Sequence, residues 1–303
     1  MFKKISIIGC GLIGSSLLRI INRKKLAKKI EVYDKSLSVQ KFLKKKKLIK
    51  KINNDIGKVV ENSDLVIIST PLSAYNDVLS KIKKFIKNNS ILTDTGSAKE
   101  NINKTVLNLN FKEKKISWIA SHPIAGTEMS GPESGTEKLF NKRWCIICPS
   151  AHCRKKSLFK LENFWKKIGS KVKVMDFNEH DKILALSSHL PHVIAYNIVK
   201  TAVMREGKIN KDIIKYSAGG LRDFTRIASS DPVMWRDIFI ENSKNIIKVI
   251  DEFIKNLEDL KKNISENDII KLEELFKNSK KIRSEIVSSG QDTSEPDFGR
   301  KKN

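Results

Sequence analysis

Just past a short apolar run at 118–120, the chain reads Ser121-His122-Pro123-Ile124-Ala125-Gly126-Thr127-Glu128-Met129-Ser130-Gly131. A histidine and a rigidifying proline among small residues suit one chemistry well. An imidazole titrates near neutrality, so His122 could take the proton of an alcohol while hydride leaves the same carbon. The competing reading is a buried histidine with a structural job. Thr93-Asp94-Thr95-Gly96-Ser97-Ala98-Lys99 ends the preceding apolar run in the same manner and offers the hydroxyl of Ser97. A serine that merely caps a helix would look identical. Further on, Ser188-His189-Leu190-Pro191-His192 sets two histidines three apart. They could share a helix face and a metal ion, but no third ligand stands nearby and Pro191 disturbs the helix.

Ser217-Ala218-Gly219-Gly220-Leu221-Arg222-Asp223-Phe224-Thr225-Arg226-Ile227-Ala228 is followed by Asp231-Pro232, Trp235, Arg236 and Asp237. Three of the ten arginines of a lysine-dominated chain fall in this stretch. Guanidinium forks grip carboxylates in a planar, bidentate way that lysine cannot, so an acidic substrate is the natural inference. A structural network of Arg222 or Arg226 with Asp223 accounts for the same residues. Cys145, Cys148, His152 and Cys153 invite a second metal reading. Cys145 and Cys148 fall in a strand-like segment, where positions three apart face opposite ways, and structural cysteines are favoured. No metal site is expected.

Gly9-Cys10-Gly11-Leu12-Ile13-Gly14 is a GxGxxG run that follows a strand pattern and opens a helical one. Asp34 lies twenty residues further on, at the end of the next apolar run. Gly9 permits the tight turn, Gly11 lets the backbone approach a pyrophosphate, and Gly14 allows close packing of helix on strand. The free N–H groups of the helix start, around Leu12 and Ile13, then face the phosphates. Asp34 can accept hydrogen bonds from both adenosine ribose hydroxyls, and its charge repels a 2′-phosphate. NAD is therefore favoured over NADP, with Lys35 as the adjacent cation. Thr70 and Pro71 end another strand at the edge where this fold binds ligands, and are expected against the cofactor.

The elements that must position these groups follow a clear rhythm. Apolar runs at 5–8, 30–33, 65–69, 91–93, 118–120, 144–148 and 171–175 read as strands. Helical stretches such as 12–22, 74–85 and 157–168 separate several of them, which predicts an α/β fold with a doubly wound parallel sheet. Beyond Asp176 the segments 178–205, 211–217, 231–260 and 266–288 carry helical periodicity and no strand rhythm. The expected organisation is a Rossmann domain over 1–176, a helical domain over 177–288, and a polar, disordered tail over 289–303. The formal net charge is +25, almost all of it from dispersed lysine. The lysine run at 44–47 reads as a solvated helix face, and no nucleic-acid partner is expected, although a positive field would concentrate anionic substrates and cofactors. No signal peptide or membrane-length apolar run is seen, so a reducing cytoplasm is the expected compartment.

The motifs GxGxxG, Asp34, DTGSAK, SHPIAGTEMSG, SHLPH and GGLRDFTRIASSDPVMW follow one another from residue 4 to about 287. Their order resembles the prephenate/arogenate (cyclohexadienyl) dehydrogenase family. That resemblance implies a Rossmann domain followed by an all-helical domain that makes a homodimer, NAD as cofactor, and a place in tyrosine biosynthesis. It implies that His122 accepts the proton of, or hydrogen-bonds, the ring C4 hydroxyl of prephenate, with Ser97 orienting it. Hydride passes to NAD and the ring carboxylate leaves as CO2. Arg226 would hold a substrate carboxylate, with Thr127 and His192 completing the pocket. Glu128 and Asp223 would form a charged gate with Arg226, and Trp235 would line the site. Lys99 and Glu100 follow the serine motif where the family varies, and nothing is read into them. The chain leaves no room for a chorismate mutase domain before the first strand or an ACT-type domain after the helices, so a stand-alone catalytic unit is expected. Glu179 and Asp181 lie more than a helical turn from the histidine pair, which leaves an arogenate ammonium without a partner and favours prephenate. A β-hydroxyacid dehydrogenase or imine reductase is the alternative enzyme, but those acid dehydrogenases use a catalytic lysine on a helix of the second domain. A basic nucleic-acid-binding protein is suggested by charge alone.

Overall fold

A computed structural model describes residues 1–109, 111, 115–205, 208–209 and 211–289 of the chain. Seven strands form one sheet: β1 (Phe2–Ile8), β2 (Ala27–Tyr33), β3 (Leu65–Ile68), β4 (Ile91–Asp94), β5 (Ser117–Pro123), β6 (Trp144–Pro149) and β7 (Lys171–Val174). Their order is β2-β1-β3-β4-β5-β6-β7. Helices α1 (Leu12–Arg23), α2 (Leu37–Lys45), α3 (Ile56–Val60), α4 (Tyr75–Ile82), α5 (Glu100–Asn108) and α6 (Lys155–Ile168) punctuate the strands. Every residue of β3, β4 and β5 is buried. That is why these strands read as continuous runs rather than alternations: both faces of a parallel sheet are covered.

The sheet is parallel except at β5 and β6, which pair antiparallel with His122 opposite Ile146. No crossover helix joins this pair; the chain returns through residues 124–143, so the next strand must run back. β6 and β7, linked by α6, are parallel again. The strand order reverses between β1 and β3, and ligands of open α/β sheets bind in the crevice at such a switch point.

Beyond β7 come α7 (Phe177–Leu184), a π-helical turn (Ala185–His189), α8 (Leu190–Val203), α9 (Lys211–Lys215), α10 (Gly219–Ala228), α11 (Pro232–Glu241), α12 (Ser243–Ser265) and α13 (Ile269–Ser288). This region is helical with one exception, an antiparallel pair of two-residue strands, β8 (Met204–Arg205) and β9 (Lys208–Ile209). Strands that short leave no alternation to read. The chain divides into two compact units. One is Met1–Ala195 with Arg226–Ile246, and therefore takes in α7, the π turn and α11 beyond the change of texture at 176. The other comprises Tyr196–Thr225 and the described residues from Ile247 onward. Apart from Ser289 the expected tail lies outside the described residues. No described helix is long and apolar enough to cross a membrane.

Candidate active site

At the carboxyl end of β1 the backbone itself makes a cradle. Gly9 holds φ +86°, and a Cβ there would meet the carbonyl oxygen of Ser69 at 2.6 Å. A Cβ on Gly14 would lie 2.0 Å from the Gly9 carbonyl oxygen, so helix and strand touch at that point. Gly11 differs: a Cβ there would meet nothing within 4 Å. The space in front of it is open, and as N-cap of α1 it offers no side chain to the first N–H groups of the helix. Two hydroxyls at the end of β3, Ser69 Oγ and Thr70 Oγ1, are buried without a hydrogen-bond partner. Asp34 follows β2 and is buried; its Oδ2 accepts from Cys10 N–H at 2.7 Å and its Oδ1 from Ser36 N–H at 2.8 Å. Each oxygen keeps a lone pair. An uncapped helix start, an open Gly11, orphaned hydroxyls and an acid after the second strand fit a dinucleotide. Pro71 is exposed beside them.

Two strand ends further along, side chains do the work. His122 is the penultimate residue of β5 and 7% exposed. Its Nδ1 lies 2.8 Å from His180 Nε2, and His180 Nδ1 lies 2.7 Å from Asp181 Oδ1. A carboxylate only accepts, so His180 Nδ1–H donates to Asp181. With His180 neutral, its Nε2 accepts from His122 Nδ1–H. The lone pair of His122 is thereby placed on Nε2, the nitrogen a base would use. Burial lowers the His122 pKa well below the ordinary 6.5, helped by the charges of His180, Lys99 and His189. Burial also lowers His180, against the opposing pull of Asp181. Both rings are therefore neutral near pH 7, as the relay requires.

Asp181 is fully buried and does more than orient His180. Its carboxylate accepts the N–H of Lys99 at 2.9 Å and of Glu100 at 2.8 Å, capping α5 from outside the helix. Ser97 is accordingly not the helix cap; Lys99 occupies that position and Ser97 stands half-buried in the loop before it. The π turn brings His189 inward, fully buried, with Nδ1 accepting from Asn242 Nδ2 at 3.1 Å. The same amide donates to the Asp181 carbonyl at 2.8 Å. His192 Nδ1 donates to the Ser188 carbonyl at 2.9 Å, and its ring stacks on Trp235 with centroids 3.5 Å apart. The indole N–H of Trp235 and Nε2 of His189 are buried without partners, two polar atoms left for a ligand or water.

His122, Ser97, His192 and Trp235 all fall in the first compact unit of the chain. Thr127 and Glu128 stand exposed in the loop after β5, where Thr127 Oγ1 accepts from Met129 N–H at 3.2 Å. Arg226 is exposed near the end of α10 and Asp223 half-buried one turn earlier. Four residues of the site were missed, Asn242 between Asp181 and His189 among them. His180 and Asp181 belong to Asn178-Glu179-His180-Asp181, where an adjacent His-Asp pair opening a helix was the available signal. Lys99 was passed over, yet it is fully buried, with Nζ 2.6 Å from Asp94 Oδ2. Cys145 and Cys148 are buried in β6, where burial pushes the Cys148 thiol up to about 12. Among the described residues no group of three or more His, Cys, Asp or Glu could hold a metal ion.

Residues 17–174 match the family described as prephenate dehydrogenase, nucleotide-binding domain, and residues 176–278 match prephenate dehydrogenase, dimerization domain. A cyclohexadienyl dehydrogenase of Zymomonas mobilis is 38% identical over 93% of this chain and 96% of its own. The crystal structure of prephenate dehydrogenase from Aquifex aeolicus with hydroxyphenyl propionate and NAD+ superposes with a TM-score of 0.85 and 32% identity, covering 94% of this chain and 99% of that one. A Synechocystis arogenate dehydrogenase shares the fold at a TM-score of 0.76 and 22% identity, covering 94% of this chain and 100% of that one.

Proposed function

The chain belongs to the prephenate dehydrogenase family, and from that premise we propose that it oxidatively decarboxylates prephenate to 4-hydroxyphenylpyruvate and CO2 with NAD, as a homodimer in tyrosine biosynthesis. The observation that carries the reading is the Asp181–His180–His122 relay, which leaves a basic nitrogen at the active edge of the sheet. Gly9, Gly11, Gly14, the α1 start at Leu12 and Ile13, Asp34, Thr70 and Pro71 would hold NAD, which when bound accepts the hydride from ring C4. His122 Nε2 takes the proton of the C4 hydroxyl as C4 loses hydride. The electrons of the bond to the departing carboxylate pass through the ring to the C4 oxygen. His122 can then return its proton to that phenolate, so the proton balance closes at one residue. Ser97 orients the hydroxyl, and Asp181 keeps His180 in the tautomer that receives His122. Arg226 holds a substrate carboxylate, Thr127 and His192 complete the pocket, Trp235 lines it behind His192, and Glu128 with Asp223 gates Arg226.

Arogenate is the second substrate to test, favoured by the cyclohexadienyl dehydrogenase likeness. Against it, Asp181 is nearer to His189 than the sequence spacing suggested, through Asn242, but its carboxylate is buried and already accepts three hydrogen bonds. It has no room for an ammonium. The test is NADH or NADPH formation with prephenate, arogenate and a set of hydroxy acids, for wild type and Asp34→Asn. Prephenate with NAD should give the highest kcat/KM, and Asp34→Asn should narrow the preference for NAD over NADP. Turnover of hydroxy acids with neither cyclohexadiene would overturn the reading.

A further inference from the structure

The relay explains how His122 is oriented but leaves unused a fully buried lysine in the same network. Lys99 is 0% exposed, and its Nζ lies 2.6 Å from Asp94 Oδ2. Asp94, also 0% exposed, is the last residue of β4 and accepts three further bonds. They come from Ser121 N–H at 3.0 Å, Gly96 N–H at 3.0 Å and the Tyr75 hydroxyl at 3.0 Å. Ser121 is the residue before His122. The backbone N–H of Lys99 meanwhile goes to Asp181, the carboxylate that orients His180. One residue therefore ties the loop carrying Ser97 to both carboxylates beneath the histidine pair.

We propose that Lys99 is a positioning residue for this reaction: through Asp94 it fixes the Ser97 loop and the end of β5, and through its own N–H on Asp181 it holds the carboxylate behind the His122–His180 pair. The inference rests on reading His122 as the base. Taking an ammonium fully out of water is costly, and a Leu or Met of similar volume would fill the space without that cost. A role in packing alone does not call for a charge there. The groups that act on His122 are His180 from α7, His189 from the π turn and Lys99 from the start of α5; Asp181 of α7 stands behind on His180, Asp94 at the end of β4 on Lys99, and the Cys145 thiol of β6 lies against the His122 backbone. Lys99, ion-paired to Asp94, is the cation among them, and its field adds to burial in pushing His122 and His180 toward the neutral state. At His180 that push is opposed by Asp181 and Asp94.

The five histidines make the test direct. Imidazole NMR of the histidine-labelled full chain is followed through pH, with the His122 signal assigned by its loss in His122→Asn. In the wild type His122 should remain neutral well below pH 6.5. In Lys99→Met it should titrate at least about one pH unit higher, and in Lys99→Arg close to wild type. Lys99→Met leaves the Asp94 carboxylate buried and unpaired, so the charge-neutral pair Asp94→Asn/Lys99→Met decides if the single variant does not fold. The acid limb of kcat/KM with prephenate should move upward by the same amount, whereas a merely structural loss lowers kcat/KM equally at all pH. An unmoved His122 titration in a folded variant would overturn the role of Lys99. A wild type inactive on both prephenate and arogenate would overturn the reading of the reaction instead, while the NMR titration still decides what Lys99 does.

Discussion

The two ends of the active edge are built on different plans. At β1 the site is backbone: a positive-φ glycine, a contact of Gly14 on Gly9 too close for any side chain, and a helix start with nothing capping it. At β5 it is side chain, with His122, His180, Asp181, Lys99, Asp94 and Asn242 drawn from four separate stretches of the chain. A backbone site tolerates almost no change in shape but needs no partner elsewhere. A side-chain network tolerates changes in volume but fails when one proton is misplaced, because each tautomer dictates the next.

The sharpest way to break the comparison is to put the same methyl group at two glycines of one motif. Gly14→Ala should weaken NAD binding by about a thousandfold and lower the melting temperature, since overpacking against a backbone carbonyl cannot relax cheaply. Gly11→Ala should leave melting unchanged without ligand and weaken NAD binding by only about tenfold, since the added Cβ occupies space reserved for the cofactor. Equal effects on melting would mean that Gly11 is structural too. Calorimetry and fluorescence titration with NADH measure both.

The next effect belongs to the network. Asp181→Asn should cost about a hundredfold in kcat with prephenate, because an amide no longer dictates which nitrogen of His180 bears the proton. The KM for NAD should hardly change. A loss appearing in KM and not in kcat would show Asp181 acting only as the cap of α5.

The same contrast explains what could be read without coordinates. The glycine turn and Asp34 are contiguous or fixed by one βαβ unit, so their roles were legible from spacing. His122 and Ser97 were legible as strand-end residues. His180, Asp181 and Lys99 were not, because nothing local says that the start of α7 packs against the start of α5. Only the fold brings residues 82 positions apart into one hydrogen bond. The antiparallel β6 escaped for a related reason: an apolar run gives a strand but not its direction.

A smaller and more diffuse effect concerns acid stability. His122, His180, His189 and His192 all have lowered pKa values, chiefly through burial, and His189 falls to about 4. The unfolded chain binds these protons at the ordinary 6.5, above the folded values. The stability they hold is therefore complete above that pH and is lost as pH falls through it toward the folded pKa. Each such group contributes a slope of about 1.4 kcal/mol per pH unit inside its window. Melting temperature should drop steadily from pH 7 to pH 5, and less steeply in His189→Gln. A flat profile would mean that the histidines are hydrated.

The central claim is that His122 is the base, and it is tested most directly by NADH formation from prephenate in wild type and His122→Asn, with NAD binding checked in both. The account predicts that wild type turns prephenate over and that kcat/KM falls on the order of 10³-fold in the variant with NAD affinity unchanged. Activity within a few-fold of wild type in His122→Asn would contradict it and move the base elsewhere on the sheet edge.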